Sequence, residues 1–490
     1  MLSFIIFFPV AGVAAILLLP RERESWAKWI AAFVSTVILA LTLTLFAAYD
    51  RDPGDFQFID RHTWLASDFV EFTLQYAVGV DGLSLALVML TGFLFLVAVL
   101  ISWRIELRPK EYFAWILVLE LSLLGVFSAM DFVLFFLFWE IELIPMYFLI
   151  SIWGTGRKQY SAFKYVLYTL FGSSFMLVGL LVLGFEAGTF DIVKLGQIPA
   201  DELKDAVIPV QVIFFLLIIA FGIKLPVVPF HTWLPDAHTD APTAVSVILA
   251  GVLLKMGGYG ILRLSFSIMP DVARDASVWL AGFAVMSILY GALVTLMQTD
   301  LKRLIAYSSV SHMGYVLLGA SALGTVGLAG AAMQMFTHGL ITGLLFVLVG
   351  MMYDRTHTRN INEMSGLAHR MPFIATMMVV AGLASLGLPS LAGFVSEITV
   401  FLGTFAHHEF LTILGVIGIV LTAGYILWMI QRVFWGEASD RWEGIGDATA
   451  WWERGPLLAL VAVIFLVGVY PAPMLDLLET GVAPIAERLA

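Results

Sequence analysis

The residues best suited to chemistry in this sequence are ionisable side chains inside long apolar stretches. Lys224 is the clearest, because it ends an apolar run within VIPVQVIFFLLIIAFGIKLPVVPFHTWLPDAHTD, residues 207–240. A charged side chain near the centre of a bilayer costs about 2.5–3.5 kcal/mol on insertion scales, so such residues usually face the protein interior and serve ion pathways. Pro226 and Pro229 follow the lysine, lack backbone donors and interrupt the helix. A lysine at a broken membrane helix predicts a proton or cation site.

Other ionisable residues lie in apolar stretches on both sides of this break. Glu140 lies ~13 Å beyond Asp131 at about 1.5 Å per residue, which places it near the midplane. Glu142 is about 200° further round the same helix, so we interpret it as a possible local partner. A second break at Pro389 precedes Glu397. The candidate proton relay is Glu140, Lys224, Lys255 and Glu397, with His312, His338, His238 and His231 as auxiliary groups and Pro226, Pro229 and Pro389 as helix breaks.

Each of these residues also has a structural interpretation. A single buried Glu or Lys can form an ion pair between helices, and Lys224 can snorkel towards water because it lies late in its span. His231 and His238 can hold the interrupted backbone, and His312 and His338 can be satisfied hydrogen-bonding groups. Several such residues together favour a relay. Burial and an opposite charge shift a pKa in opposite directions, so a movable partner can switch a buried lysine between holding and releasing a proton.

The composition places the chain in a membrane. Of its 490 residues 60% are hydrophobic and 13% charged, and its apolar runs give about fourteen spans of roughly 20 residues each. The net charge of −11 argues against nucleic-acid binding. The sequence has no cysteine for iron–sulfur clusters and no Gly-rich dinucleotide turn, so redox chemistry would need a haem. We predict an all-α polytopic membrane protein with no redox centre and no metal site in this chain.

The distribution of positive charge predicts how the chain crosses the membrane. Lys and Arg concentrate in one set of alternate loops, which the positive-inside rule places in the cytoplasm, so both termini are expected on the outer side. We divide the chain into N-terminal helices (1–110), two helical sets (111–264 and 265–435) and an inner segment with a last helix (436–490). The predicted spans are 2–19, 28–48, 81–103, 111–129, 132–152, 161–185, 207–228, 241–264, 276–298, 304–322, 326–352, 371–405 (broken), 410–430 and 456–473.

Two loops and an internal symmetry complete the prediction. The outer loop 49–80 contains FVEFTLQYAV, whose alternation predicts a small β-hairpin. Residues 431–455 carry several Trp residues among charges, which is typical of an interfacial segment. Asp131 and Asp300 lie at tight junctions, and each is followed later by one of the two Leu-Pro breaks. The two sets would run in opposite directions, as in inverted repeats.

Three motifs resemble a known family. WEIELIPMYFLISIWG, KLPVVPFHTWLPDAHTDAPTAVSVILAGVLLKMGGYG and LKRLIAYSSVSHMGY are similar to the antiporter-like membrane subunits of respiratory complex I, and the resemblance covers residues 79–435. It implies fourteen helices, with two inverted five-helix repeats formed by helices 4–8 and 9–13 and with breaks in helices 7 and 12. It also implies that Glu140, Lys224 and Lys255 carry protons, with Glu140 paired to Lys224.

The resemblance extends to the second repeat and to partners. His312 and His338 would extend a hydrated axis, Glu397 is typical of the M type, and a charged Glu142 departs from many relatives. The chain would lie between the sibling subunits L and N in a bacterial inner membrane, moving protons while quinone is reduced elsewhere. FMN and iron–sulfur clusters would belong to other subunits. Two alternatives remain, the D subunit of an Mrp sodium/proton antiporter, which shares almost every motif, and a haem protein using His312 and His338.

Overall fold

The protein is a bundle of helices with one β-hairpin in the described part of the chain. The computed structural model describes residues 1–51, 55–66, 73–198, 207–437 and 439–490. Its first half contains α1 (Leu2–Leu17), α2 (Ala27–Ala48), β1 (Gln57–Ala66), β2 (Thr73–Val80), α3 (Gly82–Ile101), α4 (Pro109–Ser128), α5 (Phe132–Ile141), α6 (Leu143–Trp153), α7 (Lys158–Glu186), α8 (Ile192–Gln197), α9 (Val210–Lys224), α10 (Trp233–Asp240), α11 (Thr243–Ile248) and α12 (Leu254–Gly260). Its second half contains α13 (Pro270–Leu296), α14 (Leu301–Ser321), α15 (Thr325–Thr356), α16 (Pro372–Ser385), α17 (Ala392–Phe405), α18 (Glu409–Phe434), α19 (Trp451–Val469) and α20 (Ala472–Leu489).

The helices agree with the predicted spans. Ten helical segments of the described chain are long and apolar enough to cross a membrane, and α1, α9, α16 and α17 are shorter apolar helices. The tenth predicted span coincides with α14, which begins with the charged pair Lys302 and Arg303. The all-α membrane class is therefore confirmed, while the count of fourteen spans and the four segment boundaries stay predictions.

Both predicted helix breaks are present. The helix α9 ends at Lys224 and the next helix begins at Trp233, while α16 ends at Ser385 and α17 begins at Ala392. At the first break the indole of Trp233 donates to the carbonyl of Ile223 at 2.9 Å, and the N–H of Val228 donates to Ser287 at 3.1 Å. Polar groups freed by the prolines thus find partners inside the protein, which makes irregular backbone tolerable at membrane depth.

The structure adds two irregularities that the sequence analysis does not predict. The fifth span is interrupted at Glu142, between α5 and α6, because Pro145 has no N–H for the carbonyl of Ile141. The eighth span contains π-helical segments at Leu249–Leu253 and Ile261–Phe266, on either side of α12. Single π-helical turns are frequent at functional sites because they alter which side chains face inward.

The loops are partly as predicted. The hairpin pairs β1 with β2 in antiparallel register, whereas residues 69–72 of the predicted strand lie outside the described residues. The proposed interfacial segment 431–455 is shorter than predicted, since α18 continues to Phe434 and α19 begins at Trp451. A further amphipathic helix, α20, was not predicted and packs closely on α3 where Gly82 meets Gly481.

Equivalent junctions in the two halves have the same construction. Asp131 accepts from the N–H groups of the first turn of α5 and forms an isolated β-bridge with Asp191. Asp300 caps α14 in the same way and bridges to Asn360. This correspondence supports the predicted internal repeat.

Candidate functional site

Lys224 forms a buried ion pair at the first helix break. Its ammonium contacts a carboxylate oxygen of Glu142 and lies 3.0 Å from the hydroxyl of Tyr165, and lysine and glutamate are both almost fully buried. The Tyr165 hydroxyl also donates to Glu142 at 2.6 Å. The three side chains come from α9, α7 and the junction of α5 with α6, so the pair joins separate helices.

The predicted pairing of Lys224 with Glu140 is wrong in this conformation. The carboxylate of Glu142 contacts Lys224, whereas Glu140 remains half-buried with one carboxylate oxygen lacking a hydrogen-bond partner in the described residues. The role of Glu142 as a local partner stays a prediction, and in the structure its contact is Lys224.

Lys255 has a different environment. It is fully buried on α12, donates to the carbonyl of Ala250 in the adjoining π-helical segment, and lies 2.8 Å from Nδ1 of His338. Within the described residues it has no carboxylate partner within ion-pairing distance. The two central lysines thus differ, since one is held by a carboxylate and the other contacts a carbonyl and an imidazole.

The contacts continue from His338 to the second helix break. The rings of His338 and His312 lie 5.6 Å apart between centroids, and Nδ1 of His312 lies 3.6 Å from Oε1 of Glu397. Ser385 lies 3.3 Å from the other ring nitrogen of His312. A small cavity is lined by these groups together with Gln334. Glu397 is buried, and its second oxygen has no hydrogen-bond partner among the described residues.

The backbone of the second helix break lies close to the carboxyl group of Glu397. Gly387 lies in this break with φ +75°, and a Cβ added there would come within 2.3 Å of Oε2 of Glu397. Only a residue without a side chain allows this approach without displacing the carboxyl group. The break therefore brings the backbone at Gly387 close to the carboxyl group of Glu397.

Close helix packing connects the two lysine sites. A Cβ at Gly257 would lie 2.5 Å from the backbone nitrogen of Leu225, so α12 touches the end of α9 directly beside Lys224. No direct hydrogen bond joins Lys224 to Lys255 among the described contacts. The structure thus brings the candidate residues into one interior region, in which Lys224 and Lys255 are not joined by a direct contact among those described.

The two remaining histidines, His238 and His231, contact aromatic rings. His238 is fully buried, stacks on Phe346 with 4.6 Å between ring centroids, and has neither ring nitrogen hydrogen-bonded in the described structure. His231 lies 5.1 Å from Tyr290 between centroids. Neither histidine is hydrogen-bonded to Lys224 or Lys255 within the described contacts.

Lys302 and Glu120 are among the buried ionisable residues that sequence reasoning missed. Lys302 was counted among the loop charges, but it is buried, donates to the carbonyl of Ala241 at 2.6 Å and lines a cavity together with Asp354. Glu120 in α4 is fully buried and accepts a hydrogen bond of 2.9 Å from Ser35 of α2. An acid in the middle of an apolar span was the signal for Glu120.

The chain is similar to proteins of known type. Residues 129–422 match the family described as NADH:quinone oxidoreductase/Mrp antiporter, transmembrane. NADH-quinone oxidoreductase subunit M of Rhodobacter capsulatus is 41% identical over 504 residues, covering 100% of this chain and 96% of that protein. A chain of respiratory complex I from Thermus thermophilus with bound NADH has a TM-score of 0.89 at 29% identity, with 100% of both chains covered. A chain of the Mrp complex from Dietzia sp. has a TM-score of 0.85 at 20% identity, with 100% and 99% covered, which is a likeness of fold alone.

Proposed function

Because the chain belongs to the family of NADH:quinone oxidoreductase and Mrp antiporter membrane subunits, we propose that it carries protons as the M-type subunit of an NADH:quinone oxidoreductase. One observation supports this most strongly, namely the succession of buried ionisable groups between the two helix breaks. These groups are Glu142, Lys224, Lys255, His338, His312 and Glu397. Ionisable side chains inside membrane helices characteristically serve such pathways.

The first step is release of a proton from Lys224. While Glu142 and Tyr165 hold the ammonium, the carboxylate charge favours the protonated lysine. Separation of this pair removes that stabilisation and lets the lysine give up its proton. Glu140 remains in the proposed relay as the second carboxylate on the same chain segment, able to receive the lysine or the proton when the pair opens.

The next steps run along the second repeat. Water bridging the contact between α9 and α12 would deliver the proton to Lys255, which then passes it to Nδ1 of His338. Imidazole can accept a proton at one nitrogen and give one up at the other, so His338 and His312 would hand it on. Glu397 is the final acceptor before release, and each step moves only a proton.

The cavity lined by Lys302 and Asp354 is suited to proton entry. Its volume is about 440 Å³, and the polar groups that line it include Lys302, Asp354 and Thr243. Lys302 contacts Ala241 immediately before α11, the helix that leads to Lys255. We place proton entry here, with His238 and His231 adjusting hydration near the first break.

The coupling of this route to electron transfer requires other subunits. In this proposal quinone reduction and its FMN and iron–sulfur clusters belong to partner chains, and the sibling subunits L and N flank this one in a bacterial inner membrane. The matching family includes both alternatives, and the Mrp complex is similar in fold at 20% identity, whereas the relative at 41% identity is named a quinone oxidoreductase subunit. Co-purification of NADH-oxidising subunits with this chain would separate the two.

The relay is tested by Lys224→Arg. Arginine keeps the charge and can still pair with Glu142, but it does not release its proton in proteins. We expect the assembled complex to lose coupled proton pumping, on the order of a hundredfold, measured by dye quenching in inverted membrane vesicles. Lys164→Arg is the matched control, because Lys164 pairs with Asp236 at 2.7 Å outside the proposed relay. Near-normal pumping by Lys224→Arg would reduce Lys224 to a structural ion pair.

A further inference from the structure

A groove lies where α18 leaves the membrane region. It has a volume of about 510 Å³ between the end of α18 and the turn that follows Ile361, and its lining includes Arg432, Trp428, Trp435, Asn362 and Ser365. Both tryptophans are about half exposed. An arginine with indole rings at the end of an apolar helix is typical of the boundary between hydrocarbon and headgroups.

The positive charge of Arg432 is not balanced inside the groove. Its guanidinium donates to the side-chain oxygen of Asn362 and lies 4.8 Å from the centroid of the Trp428 ring. The nearby acid Glu363 is paired instead with Arg441 at 3.1 Å. Among the described residues, Arg432 has no carboxylate within ion-pairing distance. Its remaining N–H groups can therefore serve a ligand with anionic oxygens, which a planar guanidinium binds through two parallel hydrogen bonds.

An apolar surface leads directly into the groove. Along one side of α18 large hydrophobic side chains are exposed at helical spacing, and the series ends at the groove. It consists of Phe410, Ile413, Ile417, Val420, Leu427 and Trp428. A molecule that carries both an acyl chain and an anionic phosphate could cover the apolar surface of α18 and bind the guanidinium of Arg432 together. A free anion could bind only the guanidinium.

We propose that this groove is a binding site for an anionic phospholipid, with the headgroup phosphate on Arg432 between the two indole rings and the acyl chains along α18. This site is distinct from the proton relay, and its occupancy would fix the end of α18 relative to the loop before α16. The side of the membrane is that of the arginine-rich loops, where anionic headgroups attract basic residues.

The test uses the intact complex, purified in detergent, depleted of lipid and titrated with phosphatidylglycerol in mixed micelles. Bound phospholipid is quantified by mass spectrometry. We expect Arg432→Gln to bind phosphatidylglycerol about tenfold more weakly than wild type, the loss that corresponds to one charge-assisted hydrogen bond. Arg108→Gln, an exposed arginine on the same predicted side that pairs with Glu111 outside the groove, should bind as wild type does.

Further binding measurements identify the chemical class of the ligand. Phosphatidylcholine should bind more weakly than phosphatidylglycerol, and inorganic phosphate should not displace the lipid. Arg432→Lys, which keeps the charge but loses the planar fork, should show intermediate affinity and guards against poor assembly of Arg432→Gln. Equal affinity of Arg432→Gln and wild type, displacement by inorganic phosphate, or a cross-link that shows a sibling subunit filling the groove would overturn the proposal.

Discussion

Lys224 has two carboxylates within reach of its helix break, and the fold gives them different surroundings. Glu142 is fully buried and touches the ammonium, whereas Glu140 is half-buried with one oxygen unpaired in the described structure. Two residues that can compete for one cation should not act independently. Transfer of the lysine proton to Glu140 as the pair opens would leave Lys224 neutral, while the Tyr165 hydroxyl still donates to the Glu142 carboxylate.

This competition predicts the outcome of a double-mutant cycle. Glu142→Gln keeps a hydrogen-bonding group beside Tyr165 but removes the charge that holds Lys224, so we expect pumping to fall about tenfold or more. Glu140→Gln should also impair pumping, and the double variant should lose less than the product of the two effects. Proton pumping in vesicles, normalised to assembled complex, gives the cycle. Undiminished pumping in Glu142→Gln would show that the observed ion pair is irrelevant to transport.

Glu397 poses a separate question, because its charge must change if it releases protons. Glu397→Gln keeps the shape and cannot ionise, so we expect pumping to fall on the order of a hundredfold. Glu397→Asp keeps the titration with a shorter arm and should retain substantial activity. Glu397→Lys introduces a titratable group of the opposite sign, and partial function there would show that the site needs a titratable group of either sign. Equal pumping by Glu397→Gln and wild type in proteoliposomes would remove Glu397 from the route.

At the scale of elements, the second helix break is predicted to be a functional part of the Glu397 site. Gly387→Ala would place a methyl group within 2.3 Å of Oε2 of Glu397 and strain a backbone at φ +75°. Gly188→Ala is the matched control, because φ is +61° there and nothing lies within 4 Å of the added carbon. Both should cost roughly 1–2 kcal/mol of backbone strain. Only Gly387→Ala should depress pumping at equal assembly, and equal pumping by the two variants would contradict this role.

The same scale shows which features the sequence can predict. The breaks after Lys224 and after Ser385 follow from proline chemistry, which acts within one turn, and the hairpin follows from alternation in the outer loop. The ion pair of Lys224 with Glu142 depends on how the helices that carry the two residues pack together. A pattern within one segment contains no information about that packing.

Glu120 also shows that a sequence pattern does not predict contacts between distant segments. Its place in the middle of an apolar span is visible in the sequence, but its partner Ser35 belongs to a helix much earlier in the chain, and only the fold brings them together. The amphipathic helix α20 is similarly visible as a pattern, whereas its contact with α3 through Gly82 and Gly481 is not. Interactions between distant segments are therefore the part that required the structure.

At the scale of the whole molecule, the direction of transport depends on which face of the bundle meets the cytoplasm. The predicted orientation rests on loop charge alone, which places the loop before α7 inside and α8 outside. The absence of cysteine in the sequence allows a direct measurement, since any single introduced cysteine is the only thiol of this chain. Lys194 in α8 and Arg157 before α7 are both exposed and lie at the predicted opposite faces.

We therefore predict that a membrane-impermeant maleimide labels Lys194→Cys but not Arg157→Cys in right-side-out vesicles. In inverted vesicles the pattern should exchange, because the reagent then reaches the cytoplasmic face. Both variants should be labelled after detergent treatment, which controls for burial by neighbouring subunits, and labelling is read on this chain after its isolation. Labelling of Arg157→Cys alone in right-side-out vesicles would show that the orientation of the molecule is opposite to the predicted one. Proton entry through the cavity at Lys302 would then lie on the outer side, and the proposed direction of transport would have to be reversed.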